Sequence, residues 1–240
     1  MKRAVVLAGG FGTRLRPYTM VLPKPLMPVG DRPVLEIVVR QLRHAGFERI
    51  TVATGHLAEL IEVFFGDGAR WDVAIDYYRE IEPLGTVGAL ALIDSLDEPF
   101  LVMNGDLLTD MDYAALLQRH IDSDAVSTIA TKHRDVQISL GVMHFDATDD
   151  PTLLTDYIEK PTIGYEASMG VYCFDPSVIA YIEPGVKLDF PDLILRLIAN
   201  GEIVRSSPSE DYWLDIGRPD DYERAMDDFG RMRDRLMPPE

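Results

Sequence analysis

Apolar residues fall along the chain in short blocks with two spacings. Ala4-Val5-Val6-Leu7 is an unbroken apolar run and reads as a buried strand. Arg49 to Thr54, Val73 to Tyr78 and Pro99 to Met103 read as three more strands. Asp31 to Gly46 instead carries Val34, Leu35, Val38, Leu42 and Ala45 on one helical face, with Pro33 near its start and Gly46 past its end. Leu57 to Phe65 predicts a second helix, stopped by Gly66-Asp67-Gly68, and Thr86 to Leu96 a third. Strand and helix alternate with short connections, which predicts an α/β sheet with helices on both faces. In such sheets ligands bind beyond the carboxyl ends of the strands, where Gly9-Gly10 and Asn104-Gly105-Asp106 fall.

The pattern changes after Leu117. Ala125 to Lys132, Leu140 to Phe145, Leu153 to Glu159 and Ser168 to Phe174 read as strands with few helices between them. Pro176 to Ile182 and Phe190 to Asn200 read as helices, Ile203 to Arg205 as a short strand, and Pro219 to about Leu236 as a final helix. The expected fold class is therefore α/β: a Rossmann-like mixed, mostly parallel sheet flanked by helices, with an added antiparallel part as the second wall of a cleft. No linker, repeat or low-complexity segment divides residues 1–240, so one domain is expected. Its parts are a half over 1–120, a half over 121–220 and the C-terminal helix over 219–236.

Composition removes several classes of function. The net charge is −17, which argues against nucleic acid as a partner, since a phosphate backbone needs a basic face. No apolar stretch approaches the roughly 20 residues of a membrane helix, so no membrane partner is expected. A strand begins almost at residue 1, so no secretory signal is read, and one cysteine excludes an internal disulfide framework. A cytoplasmic protein is the expectation. Cys173 lies in an apolar run and reads as core. No clear self-complementary patch is visible, and a homodimer stays open.

The chemistry concentrates after the first strand. Gly9, Gly10 and Gly12 allow close backbone approach and positive φ, while Thr13, Arg14, Arg16 and Lys24 add a hydroxyl and cations. That combination suits a polyphosphate, although a bare glycine loop is equally a tight turn. It is neither a P-loop nor the dinucleotide fingerprint, because Leu15 stands where a third glycine would be. Asp106, after an Asn-Gly turn, reads as a helix cap or as a metal ligand, and Asp215 as a turn residue or as a second ligand. The histidines (His44, His56, His120, His133, His144) show no i,i+4 pair and there is no cysteine cluster, so no rival metal site is read.

Taken whole, Leu7-Ala8-Gly9-Gly10-x-Gly12-Thr13-Arg14-Leu15-x-Pro17 followed by Pro23-Lys24-Pro25-Leu26-x-Pro28 resembles the sugar-1-phosphate nucleotidyltransferases, or NDP-sugar pyrophosphorylases. The resemblance runs from Lys2 to about Tyr222, and no left-handed β-helix domain is expected. It implies the reaction of a nucleoside triphosphate with a sugar 1-phosphate to give an NDP-sugar and pyrophosphate. It implies that Leu7, Ala8, Gly9, Gly10, Gly12, Thr13 and Arg14 hold the nucleotide, and that Lys24 reaches phosphate near the reacting centre. Asp106 and Asp215 would bind Mg²⁺. Glu80, Gly85 and Thr86 would meet the base, against a plain reading of Glu80 and Glu82 as solvated loop charges. Gly141, Glu159, Lys160, Ser168 and Gly170 would form the sugar wall, although an exposed Glu-Lys pair is usually decoration. Arg14, Lys24, Asp106 and Lys160 are the catalytic candidates.

Two departures from the family pattern bear on substrates. Thymidylyl members typically place glutamine where Glu80 stands; a carboxylate suits a base edge with two donors, which tilts the reading to GTP with a mannose- or heptose-like 1-phosphate. Thymidylyl or uridylyl transfer to a hexose 1-phosphate is the alternative. Ser168-Met169-Gly170 replaces the Asn-Ala-Gly of many relatives, so a different sugar pocket is expected. An NDP-sugar-dependent glycosyltransferase and a non-catalytic nucleotide-sensing subunit remain the more distant alternatives.

Overall fold

The protein is described as a computed structural model covering residues 1–146 and 150–238. Strand β1 (Arg3–Ala8) is the axis of the sheet. It pairs in parallel with β4 (Arg49–Thr54) on one side and β6 (Phe100–Asn104) on the other. Two short strands, β2 (Pro28–Val29) and β3 (Arg32–Pro33), lie between β1 and β4 in the chain, and β5 (Ala74–Arg79) extends the parallel edge. Past β6 come β7 (Leu107–Thr109), β8 (Ser127–Gln137), β9 (Gly141–Phe145), β10 (Leu154–Glu159), β11 (Thr162–Phe174), β12 (Val204–Pro208) and β13 (Trp213–Asp215). The main sheet has seven strands in the order β12-β8-β11-β6-β1-β4-β5. Only β11 opposes the common direction, pairing antiparallel with both β6 and β8. The predicted α/β, mostly parallel sheet is thus observed.

Helices cover both faces, as the alternation predicts. On one face α1 (Val34–His44), α2 (Ala58–Phe65) and α3 (Tyr113–Ile121) bury Leu35, Leu42, Ile61 and Leu116 against Ala4, Val6 and Val52. On the other, α4 (Phe190–Ala199) buries Leu193 and Leu197 against Val5, Val102 and Phe174. Cys173 is fully buried among the first set, and burial pushes its thiol up, as suits a core residue.

Several boundaries differ from the sequence reading. Thr86 to Leu96 is not a helix: only Gly88–Leu92 turns, as a 3-10 segment. Val87 donates its N–H to the Leu188 carbonyl at 3.1 Å and Leu188 donates to Leu84 at 2.9 Å, so cross-chain bonds replace the helical ladder. Pro176–Tyr181 is likewise a 3-10 turn. Helix α3 has no counterpart in the reading, although Asp112 caps it by accepting from the Ala115 N–H at 2.9 Å. Strands β8 and β11 run longer than predicted, as one antiparallel ladder from Ser127↔Phe174 to Gln137↔Thr162. Beyond it β9 and β10 form a separate two-stranded ribbon that is largely exposed.

The last helix, α5 (Pro219–Leu236), closes a third apolar cluster with Leu15, Met27, Val29, Leu108 and Leu214. It kinks at Met232, beyond which Arg233 forks onto Asp31 at 2.7 and 3.0 Å. Gly30 has φ +63°, and a Cβ there would stand 2.5 Å from the Phe229 ring. Gly30→Ala should therefore cost about 1–3 kcal/mol through backbone strain and overpacking. Equilibrium denaturation measures it; a wild-type midpoint would show that α5 yields freely.

Candidate active site

The site forms where the ends of β1 and β6 meet the pair β7–β13. After β1, Gly12 takes φ +58°, and a Cβ there would lie 2.8 Å from the Thr19 methyl. The Thr19 hydroxyl donates to the Gly12 carbonyl at 2.7 Å and holds the loop closed. Leu15 plugs the core at 1% exposure, which leaves its neighbour Arg14 outside. The Arg14 guanidinium lies over Gly217, where a Cβ would be 3.5 Å from both terminal nitrogens. Pro25 and Leu26, both buried, anchor the turn that begins at Lys24.

Asp106 reaches the same place from β6. The Gly105 N–H donates to the Leu7 carbonyl at 2.9 Å, which lays the Asn104-Gly105 turn against the end of β1. Strand β13 then pairs with β7 so that Asp215 opposes Leu107, and the Ile216 N–H donates to the Asp106 carbonyl at 3.2 Å. Two carboxylates remote in sequence thus share one spot. Lys24 Nζ forms an ion pair and hydrogen bond with Asp106 Oδ2, with both side chains largely buried. Asp106 Oδ1 is buried and has no hydrogen-bond partner. Desolvation, then the negative charge of Asp106, raise the Asp215 carboxyl above the usual aspartate range, against Lys24 and Arg14. An orphaned carboxylate oxygen beside a second carboxylate of raised pKa fits a hard divalent cation. Among the described residues no cluster of three His, Cys, Asp or Glu side chains forms a closed metal cage. Two protein carboxylates with room for substrate oxygens are what an Mg²⁺ site of this type requires.

Two cavities of about 230 and 390 Å³ meet at Leu7, Gly10 and Asp106. The first is lined by Ala8, Gly12, Thr13, Arg14 and Lys24. The second runs past Gly9 to Glu80, Gly85 and Thr86. All predicted nucleotide-contacting residues therefore line one continuous cleft. Glu80 donates its own N–H to the Thr54 carbonyl at 2.8 Å. Burial raises its carboxyl above the usual glutamate range, opposed by the Leu84 N–H. Gly9 is glycine for room: a Cβ would lie 3.0 Å from Glu80 Oε2. The Thr86 hydroxyl is committed to the scaffold, accepting from the Phe190 N–H at 2.8 Å, while its N–H donates to Asp189 at 3.0 Å.

The sugar-wall candidates are arranged differently. Glu159 and Lys160 face each other at 3.7 Å, each about 60% exposed, and Tyr157 donates to Glu159 at 3.1 Å. These contacts do not join them to Lys24, Asp106 or Asp215. Gly141 sits beneath Tyr157, whose hydroxyl occupies the space a Cβ would need. Ser168 meets the Tyr172 hydroxyl at 2.9 Å and accepts from the Gly170 N–H at 3.3 Å. Gly170, at φ +73°, lies against Asn104, which lines the cleft. Met169, expected to add bulk beside the sugar, has its side chain fully buried in the core. Asn104 lines the cleft too, as do Phe11, Lys187 and Asp189, which the sequence reading did not single out. Asn104 was legible from its Asn-Gly-Asp turn; Lys187 carried no local signal.

The nucleotidyl transferase family model matches residues 3–231. The chain belongs to this family. It is 36% identical over 244 residues to a UTP–glucose-1-phosphate uridylyltransferase of Synechocystis, covering 93% of this chain and 62% of that protein. It is 34% identical over 227 residues to a mannose-1-phosphate guanyltransferase of Debaryomyces hansenii, covering 92% of this chain and 62% of that one. The chain thus spans less than two thirds of the length of these curated relatives. HddC from Yersinia pseudotuberculosis, solved in complex with GMP-PN, superposes with a TM-score of 0.71 at 26% identity over 95% of this chain and 100% of that one.

Losing Lys24 leaves Asp106 buried without a counter-charge. Lys24→Met should destabilise the fold by about 1–3 kcal/mol at neutral pH, and adding Asp106→Asn should restore most of it. A double-mutant cycle by urea denaturation measures the coupling; zero coupling would show that the pair is not formed in solution.

Proposed function

We propose that this chain is a sugar-1-phosphate nucleotidyltransferase, joining a nucleoside triphosphate to a sugar 1-phosphate with release of pyrophosphate. The observation that carries the reading is the convergence of Arg14, Lys24, Asp106 and Asp215 on the glycine loop at the end of β1. Family membership and relatives whose names all describe sugar-1-phosphate nucleotidyl transfer support it.

A sugar phosphate oxygen is already a nucleophile at neutral pH, so no side chain need abstract a proton. The protein's work is positioning and charge neutralisation. The backbone N–H groups of Gly10 to Thr13 with Arg14 hold the departing pyrophosphate. Lys24 moves its charge from Asp106 onto the phosphates being brought together, and Lys160 accompanies the sugar phosphate. Asp106 and Asp215 would hold Mg²⁺, which would supply Lewis-acid neutralisation of phosphate charge. The glycine loop followed by Pro23-Lys24-Pro25 argues against glycosyl transfer from an NDP-sugar, and the joint presence of Arg14, Lys24, Asp106 and Asp215 argues against a sensing subunit that has lost the chemistry.

GTP with a mannose- or heptose-like 1-phosphate is the favoured pair. Glu80 presents an acceptor-only side chain to the base, and guanine offers it N1–H and N2–H₂ together. The guanyltransferase relative and the HddC complex agree, while the uridylyltransferase relative keeps UTP or dTTP with a hexose 1-phosphate as the second reading.

Pyrophosphate release, with GTP, dTTP, UTP, ATP and CTP crossed against hexose and heptose 1-phosphates, should peak in the GTP row. A UTP or dTTP maximum would overturn the base assignment, and silence with nucleotide binding intact would overturn the reaction. Arg14→Ala and Asp106→Asn should each lower turnover at least about 10²-fold. Glu80 must be ionised to accept from the base, and its pKa is raised. The KM for GTP should therefore climb on acidification sooner than an ordinary glutamate would allow, and Glu80→Gln should flatten that acid limb. A KM profile unchanged by Glu80→Gln would remove Glu80 from the base site.

A further inference from the structure

Lys187 is a cation with no hydrogen bond or ion pair among the described residues, in a chain holding 40 acidic side chains. It lines the same cavity wall as Glu80, Gly85 and Thr86, beyond the phosphate end marked by Gly10 and Asp106. Its backbone is held on both sides. A Cβ on Gly88 would lie 2.7 Å from the Val186 carbonyl, and one on Gly85 2.4 Å from the Leu188 carbonyl. Leu188 exchanges hydrogen bonds with Leu84 and Val87, and Asp189 accepts from Thr86. The segment bearing Lys187 is therefore stitched to the one proposed to meet the base.

From this juxtaposition we propose that Lys187 is a specificity-determining residue, paired with Glu80 to select oxo bases over amino bases. The proposal rests on the nucleotidyltransferase reading of the cleft. An ammonium offers three donors and no acceptor, and a carboxylate offers acceptors only. The two together match a base edge that sets a carbonyl beside a ring N–H. Guanine presents O6 beside N1–H, and uracil and thymine present O4 beside N3–H. Adenine and cytosine present an exocyclic amine beside a bare ring nitrogen, which reverses both contacts: donor meets Lys187 and acceptor meets Glu80. Lys187 is exposed and discriminates by attraction, whereas a misplaced contact at the half-buried Glu80 sets its carboxylate against an acceptor, so rejection arises on that side. Glu80 then separates guanine from the pyrimidines by its second donor, whereas Lys187 makes the coarser division.

The test measures kcat/KM with GTP, ITP, UTP, ATP and CTP for the wild type, Lys187→Met and Lys187→Arg, at saturating sugar 1-phosphate. Affinities for GTP and ATP are measured in parallel by calorimetry. Lys187→Met should lose about tenfold or more with the oxo bases through KM, including ITP, whose base keeps O6 but lacks the N2 amine. It should lose little with ATP and CTP, so that the ratio between the classes narrows. Lys187→Arg should retain the ratio, and the KM for the sugar 1-phosphate should not move. A uniform loss across all five nucleotides, a risen sugar KM, an unchanged ratio, or a wild type that prefers ATP or CTP would each overturn the proposal. Base-selective binding without pyrophosphate release would sink the proposed reaction and leave the Lys187 assignment supported.

Discussion

The Lys24–Asp106 pair is the contact on which the site depends. Two carboxylates at one point repel each other, and a chain of net charge −17 adds an unfavourable field for any polyphosphate. Lys24 offsets both effects locally. It is held there by Pro25 and Leu26, whose burial fixes where the ammonium can reach. The loop after β1 and the turn after β6 are thereby drawn together before any substrate arrives. Under the proposed function, a phosphate that drew Lys24 away would expose Asp106 to a cation, so the two ligands would be coupled reciprocally through the same charge.

Geometry makes this economy workable. Strand β1 lies between β4 and β6, so its carboxyl end is flanked by two strand ends in parallel register. Gly105 and Gly55 sit against the backbone of Leu7 and Gly9, closer than a Cβ would permit. The third apolar cluster then fixes the loop from the other side, as Leu15, Met27 and Val29 pack with Leu214 and Phe229. Helix α5 thus supports the loop that carries Arg14 and Lys24.

Much of this was legible in the sequence because it is local. The run Ala4 to Leu7, the helical face from Val34 to Leu42 and the glycine loop each carry their own period or turn chemistry. The failures are non-local. Thr86 to Leu96 has helical composition, but Gly85 and Gly88 are held by carbonyls of Leu188 and Val186, roughly a hundred residues on. Met169 reads as a pocket residue from its neighbours, yet the bend between Ser168 and Tyr172 sends it into the core, where its carbonyl accepts from Trp213 at 2.9 Å. Lys187 has no pattern at all; only the packing of its segment on Gly85 brings it to the cleft. Asp215 could be named from its Trp-Leu-Asp-Ile-Gly setting, but its closeness to Asp106 depends on the β7–β13 pairing, which the sequence does not announce.

The two walls of the cleft differ in how firmly they are built. The residues lining the glycine-loop end of the cleft rise from the central strands and from segments cross-linked by backbone bonds. Glu159 instead ends the β9–β10 ribbon and Lys160 follows it in the turn before β11, and a two-stranded ribbon is only marginally stable alone in water. What steadies it is the long β8–β11 ladder and the Ile138 N–H bond to Pro161 at 3.0 Å. Under the proposed function, the phosphate and base contacts are built on the core, while Gly141, Glu159 and Lys160 meet the sugar from the exposed ribbon and its end. On that same reading, sugar choice rests on Gly141, Glu159 and Lys160 at the ribbon together with Ser168 and Gly170 of β11, rather than on the glycine loop.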